Sequence, residues 1–88
     1  MLFMTVSSWS PDKRDEVIKR RLEKGAMTPK GVKVLGEWTV LGKSLNFQVA
    51  ETDDPKLLAE GAIAWNDILD METYVVLDTE KDLLGLLK

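Results

Sequence analysis

Leu45-Asn46-Phe47-Gln48-Val49-Ala50-Glu51, running straight into Thr52-Asp53-Asp54-Pro55, is the stretch that decides the fold. Leu45, Phe47 and Val49 alternate with Asn46, Gln48 and Ala50, the period of a strand with two unlike faces. Asp54-Pro55 then sets a capping side chain ahead of a proline, which is how a helix start is written. The helix predicted from Pro55 to about Leu69 is apolar round most of its circumference, through Leu57, Leu58, Ala62, Ile63, Trp65, Ile68 and Leu69. So broad a belt exceeds what one sheet face covers, and calls for a partner subunit or the chain's own tail on a second side. Gly61 costs roughly 1 kcal/mol against alanine inside that helix, so something is expected close to its backbone.

Working outward, Val32 to Val40 alternates in the same way and is joined to Leu45 by Leu41-Gly42-Lys43-Ser44, which predicts a hairpin. At the amino end Leu2-Phe3-Met4-Thr5-Val6 reads as a strand leading into Ser10-Pro11, a second junction of the same kind. Its helix, Pro11 to about Lys24, carries a narrow stripe of Val17, Ile18 and Leu22 among charged residues and stops at Gly25. Met71 to Leu77 is the fourth strand, and a short helix capped by Thr79, with Asp82 three residues on, is expected to follow. The order strand-helix-strand-strand-helix-strand is the ferredoxin-like arrangement. We therefore expect one α+β domain over residues 1–88, with a four-stranded antiparallel sheet, two helices on one face and a short C-terminal helix.

Composition narrows the function classes. A chain of 88 residues buries only about 60–65% of its unfolded surface, a thin margin for stability. Cysteine and histidine are both absent, so neither disulfides nor the usual zinc ligands are at hand, and association with a second copy is the remaining staple. Paired-cysteine metal delivery, histidine-ligated haem and histidine general bases are excluded on the same ground. The net charge of −3 argues against nucleic acid, whose binding rests on neutralising phosphates. No apolar run approaches the roughly 20 residues that span a bilayer, and Met1 to Val6 is too short for a signal peptide. We read the chain as cytoplasmic, without a cofactor, a nucleic-acid partner or a membrane partner.

Glu51-Thr52-Asp53-Asp54-Pro55 together with Ala64-Trp65-Asn66-Asp67-Ile68-Leu69-Asp70, Pro29-Lys30-Gly31-Val32 and Leu35-Gly36-Glu37-Trp38 resembles a family of small bacterial and archaeal proteins catalogued as domain of unknown function 3303. The likeness covers nearly the whole chain. It implies membership of the dimeric α/β-barrel superfamily, in which two ferredoxin-like sheets pack face to face. It implies a homodimer and transfers no catalytic residue.

If Leu45, Phe47 and Val49 face the helices, Asn46 and Gln48 lie on the helix-free face with Glu37 and Thr39 of the hairpin partner, Thr5 of the first strand and Tyr74 of the fourth. Sealed by a second sheet, that semi-polar face lines a ligand cavity; left alone, it meets water. Thr5, Glu37, Thr39, Asn46, Gln48 and Tyr74 are the candidate ligand-binding residues. Glu37 has two readings, a base whose pKa burial raises or a salt bridge to a nearby Lys or Arg. Glu51, Asp53 and Asp54 match no metal-binding loop, and Asp54 is explained as a helix cap, so no metal site is expected. Asp67 and Asp70 lie near a helix carboxyl end, where negative charge is disfavoured, and with Glu72 they call for Arg14, Arg20 or Arg21. Trp38 and Trp65 are expected in the core, leaving Trp9 to touch a ligand or partner. The function expected is a homodimer that binds a small, partly apolar molecule. The alternatives are an enzyme like the cofactor-free monooxygenases or isomerases among barrel relatives, and a purely structural interaction module.

Overall fold

A computed structural model describes residues 1–87; Lys88, the last residue of the expected domain, lies outside them. Strands β1 (Leu2–Ser8), β2 (Lys33–Thr39), β3 (Leu45–Glu51) and β4 (Asp70–Val76) form one sheet in the order β2-β3-β1-β4. Every neighbouring pair is antiparallel. Helix α1 (Arg14–Lys24) links β1 to β2, and α2 (Lys56–Ile63) links β3 to β4. This is the ferredoxin-like α+β fold that the element order called for.

The two junctions, alike in sequence, work differently. Asp54 Oδ1 accepts from the Lys56 N–H at 3.0 Å, so it caps α2 as expected. Ser10 makes no capping bond; Pro11–Lys13 forms a 3-10 turn closed by Lys13 N–H on the Ser10 carbonyl at 2.9 Å, and α1 starts only at Arg14. The Ser10 hydroxyl is engaged by Asp12 instead. Gly25 ends α1 at φ +69°, its N–H reaching the Arg21 carbonyl at 2.9 Å.

Helix α2 is shorter than its periodicity predicts. After Ile63 the chain tightens into turns in which the Trp65 and Asn66 N–H groups share the Ala62 carbonyl, at 3.0 and 2.7 Å. The buried Trp65 indole, donating to the Ala26 carbonyl at 3.0 Å, ties these turns to the end of α1. At Gly61 the expected close approach is Pro29, whose Cδ would lie 3.2 Å from an added Cβ. The C-terminal element is a π-helical turn, Thr79–Leu83, followed by a 3-10 turn, Leu84–Leu87. Its cap is Asp78 rather than Thr79. Asp78 Oδ1 accepts from Lys81 N–H, while Asp82 reaches back to the Asp78 N–H, both at 2.9 Å. The reciprocal pairing is a capping box in spirit, set one residue early.

The orientation of the sheet reverses what strand alternation predicted. Buried Phe3 and Ala50 pair on the helix side of the sheet, in a rank whose outer members Val34 and Val75 are exposed. Period two then places Thr5, Ser7, Asn46, Gln48, Met71 and Thr73 on that same side. Leu45, Phe47 and Val49 face away, with Met4, Val6 and Tyr74. Strand β2 changes phase part-way, because a bulge between Val34 and Gly36 inserts Leu35 as an extra residue. Beyond the bulge Glu37 and Thr39 point toward the helices, and Trp38, expected in the core, is 59% exposed on the opposite side.

Candidate functional site: a cleft between helices and sheet

Between the two helices and the sheet lies a cleft of about 950 Å³. Its floor is a grid set by strand register. One rank runs Thr73, Thr5, Gln48, Glu37 across the sheet, and the next runs Met71, Ser7, Asn46, Thr39. The Thr5 and Thr73 hydroxyls are 3.0 Å apart, and the Asn46 amide donates to the Thr39 hydroxyl at 3.2 Å. The roof is apolar: Val17, Ile18 and Leu22 come from α1, and Leu57, Leu58 and Ala62 from α2, with Trp65 and Leu69 beyond it. Such a chamber offers a ligand apolar walls and a floor of oriented donors and acceptors.

Of the candidate residues, Thr5, Glu37, Thr39, Asn46 and Gln48 line this cleft together. They do so beneath the two helices, not on the helix-free face where they were expected. Tyr74 is separated from them. It pairs with Met4 on the outer side, is 51% exposed, and its hydroxyl donates to Glu72. That carboxylate pushes the Tyr74 pKa up from its ordinary value, chiefly by accepting the hydroxyl proton's hydrogen bond. Thr73, one residue earlier, takes the floor position. The pairing of Thr73 with Thr5 fixes this, and only knowledge of the register could have revealed it.

Charge in the cleft is organised by one ion pair. Arg21 donates from two nitrogens to Glu37 at 3.0 and 2.8 Å, a forked geometry that fixes both groups. The pair holds the Glu37 carboxyl below the ordinary carboxylate range; the Arg21 hydrogen bonds outweigh burial, which acts in the opposite direction. The salt-bridge reading of Glu37 therefore holds, and the reading as a base of raised pKa is overturned. Arg20 makes the second forked pair, with Asp67 at 2.7 and 2.8 Å, and also donates to the Ala64 carbonyl at 3.0 Å. Its guanidinium lies 5.7 Å from the Trp65 ring centroid. Asp67 thus finds the arginine its position demanded, and its pKa is lowered by that contact.

Trp9 ends the cleft. Its backbone N–H donates to the Ser44 carbonyl at 3.3 Å, joining the end of β1 to the β2–β3 turn. Among the described residues its indole Nε1 is the one buried side-chain nitrogen or oxygen without a hydrogen-bond partner. Also among them, no group of three or more His, Cys, Asp or Glu residues could hold a metal ion. No helix is long and apolar enough there to cross a membrane.

A ferredoxin-like domain with a polar-floored cleft under its helices is the class of protein these features define. Over residues 1–83 the chain matches the family model described as Domain of unknown function (DUF3303), and it belongs to that family. No curated protein matches it in sequence.

Proposed function

We propose that this protein is a homodimer that binds a small, partly apolar molecule in the cleft between helices and sheet, without catalysing its conversion. The observation that carries the reading is the cleft itself. Its volume of about 950 Å³ falls within the roughly 300–1,000 Å³ usual for small-molecule sites. Ordinary protein interiors, by contrast, are filled to crystal-like density. Hydroxyl and amide groups placed at fixed register across the floor suit recognition of a ligand's polar atoms. Glu37 is held ionised by Arg21, which favours binding over proton abstraction, since a general base works best with a pKa near the operating pH.

The dimer is supported by the opposite side of the sheet. There Met4, Val6, Phe47, Val49, Trp38 and Tyr74 occupy neighbouring cross-strand positions, with Glu72 beside Val6 at the β4 edge, and Trp38 and Tyr74 are exposed. A patch of that kind on a small protein marks an association surface, and a second copy of the same sheet is self-complementary to it.

Filling the floor tests the cleft. The double substitution Asn46→Leu with Gln48→Phe is expected to keep the fold, read by circular dichroism. It should abolish the rise in Tm that small aromatic or aliphatic compounds give the unaltered protein. Retention of that rise would place the binding site elsewhere.

A further inference from the structure

We infer that the ligand of this cleft is an amphipathic carboxylate whose acid group sits at the Trp9 end and whose apolar body lies under α1 and α2. The inference rests on the binding role proposed above and specifies its chemistry. Four charged side chains line the cleft: Arg14, Arg21, Lys43 and Glu37. Three are cations, in a protein whose net charge is −3. The forked Arg21–Glu37 pair is internally neutral and Arg14 pairs through Nε with its neighbour Asp15, so the uncompensated cation of the lining is Lys43, with the free end of the Arg14 fork lining the same cleft.

Both line the cleft with Trp9. Arg14 follows it in the chain as the first residue of α1. Lys43 stands beside Ser44, whose carbonyl accepts the Trp9 backbone N–H. Lys43 makes no salt bridge among the described residues. Arg14 touches Asp15 only through Nε, leaving the two terminal nitrogens of its fork for another acceptor. The third element is the buried, unpartnered indole N–H of Trp9. Such a donor costs free energy until it meets an acceptor, and a carboxylate oxygen is a strong one. One indole donor, the Lys43 ammonium and the free end of the Arg14 fork, all on the lining of one cleft, suit a single negative charge. A phosphate would call for a cradle of free backbone N–H groups, whereas this connection carries Pro11 and uses the Lys13 N–H on Ser10.

Equilibrium dialysis with three naphthalene probes of one shape separates the possibilities. The expected order is 1-naphthylacetate tightest, 1-naphthylacetamide weaker by roughly tenfold, the worth of one charge-assisted contact, and 2-(1-naphthyl)ethylamine weakest. Arg14→Gln combined with Lys43→Gln should bring the acid down to the level of the amide and leave the amide unchanged. Trp9→Phe, which keeps an aromatic ring, should weaken the acid severalfold. Equal binding of acid and amide, or preference for the amine, overturns the carboxylate assignment while leaving the cleft a binding site. Failure of all three probes to bind at millimolar concentration overturns both. Unchanged acid binding by Trp9→Phe removes the indole from the site and overturns the arrangement proposed.

Discussion

The two faces of this one sheet differ in the opposite sense to most sheets that carry helices. The side beneath α1 and α2 bears Thr5, Ser7, Asn46, Gln48, Glu37, Thr39 and Thr73, and the bare side bears Met4, Val6, Phe47, Val49 and Trp38. Usually the apolar face meets the helices and the polar face meets water. Here the helices cover polar groups without pressing onto them, and a cleft remains. Phe3, Ala50 and Trp65 are the buried apolar side chains, too few to close a core by themselves. The side under the helices thus bounds a volume, while the bare side leaves Trp38 and Tyr74 exposed.

That contrast is most directly broken on the bare side. Val49→Glu places a charge among these apolar residues, next to Met4 and facing Gly36. Light scattering behind gel filtration should find twice the chain mass for the unaltered protein at micromolar concentration, and the monomer mass for this variant. The like-for-like change beneath the helices, Gln48→Glu, should leave the mass unchanged. A variant that stays dimeric would show that the copies meet through some other surface. Next in size is the anchor of the helical layer. Trp65→Ala removes a buried side chain and its bond to the Ala26 carbonyl, and should cost about 3–5 kcal/mol by chemical denaturation, the usual range for such a truncation. A loss below about 1 kcal/mol would mean that the helices are held on chiefly by other contacts.

How far the molecule was legible in its sequence depends on the kind of signal. The Asp54 cap and the stop at Gly25 are local, each following from residues within a turn or two, and the element order is a string of such signals; Gly61 announced a close approach but not that Pro29 makes it. The facing of the sheet is not local. Alternation in Leu45–Glu51 announces two unlike faces, but it is silent on which of them the helices cover. The natural inference, apolar inward, fails here because the helices cover the side that carries Thr5, Asn46, Gln48 and Thr73. The β2 reading failed for a second reason: with Leu35 bulged out, no single phase describes Val34 and Glu37 together. Tyr74 was assigned one position out of register in β4. Grouping Thr5, Glu37, Thr39, Asn46 and Gln48 was possible because cross-strand neighbours stay together whichever way the sheet is turned. The length of α2 was misjudged because its apolar belt runs on to Leu69, whereas the Trp65–Ala26 bond that accompanies its early end spans 39 positions in the chain.

A smaller effect is expected where the loop before β2 meets α2. Gly31 sits at φ +96°, and an added Cβ would come within 2.8 Å of the Leu57 Cδ1. Gly31→Ala should therefore cost about 1–2 kcal/mol. It should also shift the Leu57 methyl resonances at the cleft roof while leaving those of Val49 on the far face unmoved. A stability equal to the parent's would show that this loop relaxes freely.

The smallest effect separates the faces by their titration. Glu37, under the helices, has its pKa lowered from 4.5, first by the Arg21 hydrogen bonds. Its contribution to stability is complete above about pH 4.5 and is lost as the pH falls through the lower, folded value. Tyr74, on the bare side, has its pKa raised from 10.0, first by its bond to Glu72. Its contribution is complete below about pH 10 and is lost as the pH rises through the higher, folded value. Glu37→Gln should then flatten the acid limb of the Tm–pH profile, with the difference from the parent shrinking steadily below pH 4.5. Tyr74→Phe should alter the alkaline limb alone. If a second sheet covers Tyr74, its alkaline titration will also depend on protein concentration, because ionising the phenol inside an apolar contact opposes association. A Tyr74 limb that stays put across a hundredfold dilution, while the Glu37 limb behaves as described, would place this tyrosine outside the contact between copies and narrow that contact to the β2–β3 side of the sheet.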